Sequence, residues 1–215
     1  MITCLFEQDF EPACRKACGF FIVCGFRNTY QQQLQYCHCG EEKVWEISMT
    51  GKDSDLRNKL IRSINEVPLQ RLLREPLYDS SGVHLTAGTV AEKLGASYNE
   101  LSPGKQGCPY HLHHAQEEMF VILEGCGTLR VADEKLPIKA GDVIFMPAGP
   151  EYPHQIINTS SKLLKYLSIS TMELPEICEY PDSGKFMAKS GTESSKPFKV
   201  IQHSDQNVNY WEGEP

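Results

Sequence analysis

Three things are missing from this chain, and each absence removes a class of function. It holds nine cysteines but no Cys-x-x-Cys pair, so the usual ligand spacing of a zinc ribbon is absent. It has no apolar run near the roughly 18–20 residues that a membrane span requires; the nearest approach, Ala17–Phe26 (ACGFFIVCGF), is about half that length. It has no excess of positive charge. Lys and Arg number 21 against 28 Asp and Glu, a net charge of −7, whereas a nucleic-acid partner or an anionic membrane surface calls for a basic face. Neither nucleic acid nor membrane is therefore expected as a partner. An anionic small molecule stays compatible, because a pocket can be locally positive.

The apolar stretch also makes a poor secretory leader. Glu7, Asp9 and Glu11 accompany Arg15 and Lys16 ahead of it, and no clear small-x-small cleavage site follows. Without support for an oxidising compartment the cysteines read as reduced thiols, and a cytoplasmic location is expected. Six of the nine fall in the first 39 residues, beside Gln31–Gln33 and with no sustained period of two or of 3.6. Residues 1–48 are read as a cysteine-rich extension that need not be ordered, with Met49 as an alternative start. A small cysteine-ligated metal module is the competing reading, and it lacks the spacing.

What is present points to a packed domain. The hydrophobic fraction of 40% and the charged fraction of 23% are ordinary for a globular protein. Residues 49–82 are expected to form a helical arm. Asp53 or Ser54 can cap a helix over 53–66, where Leu56, Leu60, Ile61 and Ile64 fall at helical spacing, and Pro68 limits it. A second short helix is expected near Leu69–Arg74. Over 83–172 the texture changes to short runs rich in β-branched and aromatic residues, such as MFVILEG, GTLRVAD, DVIFMP and LLKYLSIS, separated by Gly, Pro, Asn and Asp. That pattern predicts an all-β sandwich or barrel. Residues 173–215 are rich in turn formers and are expected to form an irregular tail, with Tyr210 and Trp211 as packing anchors.

The chemistry concentrates in PYHLHHAQEEMFVILEG, residues 109–125. His111 and His113 lie two apart, which puts both imidazoles on one face of a strand and would splay them on a helix. After four intervening residues Glu118 can open a new strand, sharing a face with Phe120 and Ile122, and Gly125 ends that run. Glu117 is a rival for Glu118, but strand parity would point it with Val121 instead. Downstream, in GDVIFMPAGPEYPHQIIN (141–158), Pro147 and Gly149 make a turn and His154 opens a strand, sharing a face with Ile156 and Asn158. Three imidazoles and one carboxylate suit a divalent transition metal ion, namely Mn, Fe, Co, Ni or Zn. The bland reading is a set of polar residues at a barrel rim.

These two stretches resemble the paired motifs of the cupin superfamily. Gly104, His111, His113, Glu118 and Gly125 match the first motif, and Gly141, Pro147, Gly149, His154 and Asn158 match the second. Two loops depart in length: six residues rather than five separate Gly104 from His111, and four rather than two separate Gly149 from His154. The resemblance implies a double-stranded antiparallel β-barrel of the jelly-roll type, with His111, His113, Glu118 and His154 as metal ligands and homodimers as the assembly. The tail is similar to that of small single-domain cupins of the type-2 conserved barrel group without an assigned reaction. Tyr110, Phe120, Ile122 and Ile156 are the candidate substrate-pocket residues, although in small barrels such side chains ordinarily fill the interior. Tyr110 and Tyr98 are the nearest phenols able to act as an acid, though core packing is the simpler role for each. His114 falls off the ligand face. Cys108 and Cys126 flank the motif and read as small buried hydrophobes.

Three functions follow. The first is a metal-dependent enzyme of isomerase, dioxygenase or decarboxylase type on an oxygen-rich small molecule, with no catalytic residue identified beyond the ligands. The second is a non-catalytic binding or sensor protein, and the third a barrel without metal.

Overall fold

The two halves of the candidate site lie about 40 residues apart in sequence, and only strand pairing can join them. The computed structural model describes residues 51–191 and 197–215, within the compact unit Ser48–Pro215. The reading of residues 1–48 as a cysteine-rich extension falls outside them.

The described residues form one α-helix, α1 (Gly51–Leu60), and thirteen strands. The strands are β1 (Gln70–Arg74), β2 (Tyr78–His84), β3 (Leu94–Leu101), β4 (Leu112–His113), β5 (Glu118–Glu124), β6 (Cys126–Val131) and β7 (Glu134–Lys139). They continue with β8 (Val143–Met146), β9 (His154–Ile157), β10 (Leu164–Thr171), β11 (Glu176–Tyr180), β12 (Lys185–Ser190) and β13 (Phe198–His203). No described helix is long and apolar enough to cross a membrane.

Every ladder is antiparallel. A six-stranded sheet runs β1-β2-β3-β10-β5-β8, a four-stranded sheet β13-β12-β11-β4, and a three-stranded sheet β7-β6-β9. The all-β expectation is met by these three sheets; among the described residues no ladder closes them into one continuous barrel. Alternation explains which face is inside. On β5, Phe120 and Ile122 are buried while Met119 and Val121 are half-buried, and on β10 Leu164 and Tyr166 are buried. These side chains form the core with Leu101, Leu129, Val131, Ile138, Met146 and Ile156. Fully burying one such aliphatic side chain stabilises the fold by about 1.5–3 kcal/mol.

Gly125 lets β5 turn directly into β6. Its φ is +86°, and a Cβ there would sit 2.5 Å from the Leu163 carbonyl oxygen and 3.2 Å from the Leu164 Cα, so only glycine fits.

Three sequence expectations are corrected. The helix ends at Leu60 rather than residue 66: the Val90 N–H donates to the Lys59 carbonyl at 3.1 Å, and Arg62 turns to the Ala87 carbonyl, drawing the chain toward the loop before β3. Leu56, Leu60 and Ile61 are at least half exposed, so the apolar stripe does not bury there. The segment near Leu69–Arg74 is strand, not helix. It pairs with β2 from Gln70↔Gly82 to Arg74↔Tyr78, a case of ladder pairing overriding local propensity. The tail is not irregular, because β11, β12 and β13 build most of the four-stranded sheet. Tyr210 and Trp211 are not anchors; they are 84% and 70% exposed and pack edge-on against each other.

Candidate metal centre

Each sheet delivers part of the candidate site. His111 and His113 flank Leu112 on β4 of the four-stranded sheet, Glu118 opens β5 of the six-stranded sheet, and His154 opens β9 of the three-stranded sheet. The sheets are stitched together here. The His111 N–H donates to the His154 carbonyl at 3.1 Å, and the His154 N–H donates back to the His111 carbonyl at 2.7 Å. The Gly149 N–H, from the turn before β9, donates to the His113 carbonyl at 2.7 Å.

The side chains converge on one oxygen. Glu118 Oε2 lies 2.8 Å from His154 Nε2, 3.6 Å from His111 Nε2 and 3.5 Å from His113 Nε2. Ligand atoms of His111, His113 and Glu118 all lie within 4.8 Å of one another. The other ring nitrogens are engaged elsewhere. His111 Nδ1 meets the Pro109 carbonyl at 2.9 Å, His154 Nδ1 the Tyr152 carbonyl at 3.1 Å, and His113 Nδ1 the Glu176 carboxylate at 3.1 Å. A carbonyl or carboxylate can only accept, so each Nδ1 donates to its own partner and each ring turns its Nε2 toward Glu118. Nε2 is therefore the nitrogen of each ring that would face a metal ion, which takes the place of any proton shared with Glu118.

The electrostatics agree. Burial opposes charge on His111, but the Cys108 thiol (3.6 Å from Nδ1) and the Glu118 carboxylate outweigh it, and the imidazole is pushed up to about 11. Burial holds His113 below its ordinary value, only partly offset by Glu118. Burial also works against the Glu118 charge, yet the His111 and His154 hydrogen bonds hold it well below the usual carboxylate range. The group is therefore a buried carboxylate neutralised by imidazolium, with a donor set that a divalent transition cation can take over from the proton.

The remaining candidates divide. Glu117 is exposed, with its N–H on Thr171 Oγ1, which supports Glu118 as the inward carboxylate. His114 points outward to Glu179. Phe120, Ile122 and Ile156 are at most 6% exposed and belong to the core cluster, with the Phe120 ring 5.6 Å from that of His154. Tyr110 lies under the Arg130 guanidinium, 3.7 Å from its ring centre, and Arg130 is in turn held by Asp182. Tyr98 pairs with Leu167, on the opposite face of the six-stranded sheet from Glu118, and donates to Glu100 at 2.8 Å. Asn158 is fully buried in a turn network. Cys108 touches His111, whereas Cys126 is exposed, contrary to its reading as a buried hydrophobe.

Two features were missed. Glu176, on the strand read as irregular tail, is 0% exposed and holds His113. The sequence carried no period-two signal for it, since the acidic Glu176 is buried and its apolar neighbour Ile177 is exposed. The second feature is a polar strip. On the sheet face that carries Glu118, Ser170 pairs with Glu118, Ser168 pairs with Phe120 and with Ser97, and Asn99 pairs with Tyr166. All four polar side chains are half-buried, so the Leu101/Leu164 end of this face is packed and the Glu118 end is hydroxylated.

Comparison with known proteins places this geometry. The cupin domain family model matches residues 97–170. The chain is 42% identical over 60 residues to an uncharacterized protein of Methanocaldococcus jannaschii, covering 28% of this chain and 46% of that protein. It is 36% identical over 70 residues to the oxalate-binding protein of Thermotoga maritima, covering 33% and 55%. The chain thus spans about half the length of these curated relatives. Among solved structures, a putative sugar phosphate isomerase from Acidithiobacillus ferrooxidans aligns with 71% of this chain and 97% of its own at a TM-score of 0.61 and 24% identity, a likeness of fold. Both motifs, the antiparallel sheets and these matches agree: the chain belongs to the cupin superfamily.

Proposed function

We propose that this protein is a metal-dependent enzyme acting on a small oxygen-rich molecule, with one divalent transition metal ion held by His111, His113, Glu118 and His154. The observation that carries the reading is the convergence of three Nε2 atoms on one oxygen of Glu118, with every Nδ1 engaged elsewhere. Bound there, Mn, Fe, Co, Ni or Zn would supply Lewis acidity, or an open position for dioxygen. The chain's own residues do the rest. The imidazoles turn Nε2 toward the metal position, Glu118 brings the negative charge, and Phe120 packs edge-on against His154. Ser97, Ser168, Ser170 and Asn99 offer hydroxyls and an amide to the oxygens of a substrate on the Glu118 face. Isomerase, dioxygenase and decarboxylase types are the reaction classes to test. A second reading, non-catalytic binding of a small carboxylate, is favoured by the likeness to an oxalate-binding protein.

The test loads the full chain with each of the five metals. It is then offered aldoses and ketoses with and without phosphate, and oxalate and other carboxylic acids in air. Turnover lost in the His111→Ala/His113→Ala double variant supports the enzyme. Saturable binding without turnover supports the binding protein. Neither metal uptake nor ligand binding would sink both.

The assembly we propose is a homodimer through the outward face of the six-stranded sheet. Phe145, 70% exposed, continues a cross-strand row with Met119 and Ile169, and Leu94 and Val143 nearby are 57% and 47% exposed. The free thiols of Cys108, Cys126 and Cys178 support the cytoplasm as its compartment.

A further inference from the structure

We infer that Glu176, on the C-terminal strand β11, is a positioning residue of the metal centre. Its carboxylate fixes the tautomer of His113 and the loop that sets the separation of His113 from Glu118. The effect on metal affinity rests on the metal reading above; the effect on the tautomer does not.

Glu176 is 0% exposed, and an isolated carboxylate in that position would be strongly unfavourable. Among the described residues its only ion-pair partner is an imidazole, with neither a Lys nor an Arg on it. Four N–H donors surround it instead. Oε1 accepts from His113 Nδ1 at 3.1 Å and from the His114 N–H at 3.2 Å, and Oε2 accepts from the Ala115 N–H at 3.1 Å and the Gln116 N–H at 3.0 Å. The carboxylate therefore binds one ligand side chain and three successive backbone amides of the loop leading to Glu118.

The register of β11 on β4 brings it there. Cys178 pairs with His113 and Glu179 with Leu112, so Glu176 falls just past the end of β4, opposite the loop. Two further bonds fasten the same stretch: the His114 N–H donates to the Ile177 carbonyl at 2.9 Å, and Gln116 Nε2 donates to the Glu173 carbonyl at 2.9 Å. His113 differs from the other two histidines in this respect. Their Nδ1 atoms rest on carbonyls of their own strand neighbours, two residues away, whereas His113 depends on a group 63 residues downstream. Without Glu176, either nitrogen of His113 could carry the hydrogen, and part of the population would present N–H rather than a lone pair toward Glu118.

The experiment compares the full chain with Glu176→Gln and with Glu179→Gln, whose partner is the outward-facing His114. Glutamine keeps the size but has one acceptor oxygen where the structure uses two. Zinc and manganese affinities are measured by chelator competition, and the His113 tautomer by long-range ¹⁵N–¹H NMR of the metal-free protein. In the parent protein His113 carries its hydrogen on Nδ1. In Glu176→Gln the tautomers mix and metal affinity falls by about 10–100-fold, the usual effect of losing such a partner. Glu179→Gln matches the parent in both. A folded Glu176→Gln with parental affinity and tautomer overturns the inference. So does a parent protein whose His113 hydrogen sits on Nε2, a result that needs no variant to fold. If the parent binds neither metal, the metal reading fails while the tautomer measurement still decides the role of Glu176.

Discussion

Asn158 sits in the second motif, four residues after His154, yet its amide faces away from the candidate ligands and into a turn. Its Nδ2 donates to the Leu101 carbonyl at 2.8 Å and to the Lys162 carbonyl at 2.7 Å, and its Oδ1 accepts from the Ser160 N–H at 3.0 Å and the Ser160 hydroxyl at 2.8 Å. One side chain thus closes the turn between β9 and β10 and ties it to the end of β3. Both Asn158 and Leu101 are 0% exposed, so water cannot replace the lost donor at Leu101. Leaving a buried polar group short of its partner costs about 1–3 kcal/mol, and two carbonyls and one amide are affected, so Asn158→Ala is expected to cost about 3–5 kcal/mol. Asn158→Asp preserves shape but replaces the donors by acceptors, and at neutral pH it should cost at least as much. Urea titrations of metal-free protein should show a lower midpoint with an unchanged slope. Where both remain folded, metal affinity should stay within about threefold of the parent, since contacts this independent act additively. A loss below about 1 kcal/mol in either variant would refute the hydrogen-bond account. A large loss of metal affinity in a fully folded variant would refute the structural role.

Two further predictions concern the glycine turn and pH. Gly125→Ala places a Cβ against the Leu163 carbonyl at a φ of +86°, and should destabilise the protein by about 2–4 kcal/mol in a urea melt; a neutral result would contradict the close approach. Because His111 is pushed up to about 11, it is protonated in the metal-free protein at neutral pH, and a cation must displace one proton. Metal affinity by chelator competition should therefore rise about tenfold per pH unit between pH 7 and 9, and a flat profile would contradict the charged His111. The corresponding stability in the metal-free protein is fully present below the ordinary histidine value and is lost as pH climbs toward 11.

Strand parity made most of the site legible in advance. It set His111 with His113, chose Glu118 over Glu117, and placed Phe120 and Ile122 inward, because a period of two needs no knowledge of distant partners. What escaped depends on pairing across long stretches of chain. Residues near Leu69–Arg74 carry adjacent leucines among arginines, which suit a helix locally, and only β2 makes them a strand. Glu176 lies about 60 residues beyond the loop it clamps, in a segment whose prolines, Pro175 and Pro181, suggested turns. Tyr98 and Tyr110, 6% and 4% exposed, take the packing role that was the simpler expectation for each, Tyr98 on the sheet face opposite Glu118 and Tyr110 under Arg130.

The central claim is that His111, His113, Glu118 and His154 form one metal centre, and elemental analysis tests it most directly. The purified full chain is measured beside the His111→Ala/His113→Ala double variant, expressed in the same medium. The account predicts near-stoichiometric transition metal in the parent chain and its loss in the variant. Equal, low metal in both would contradict it.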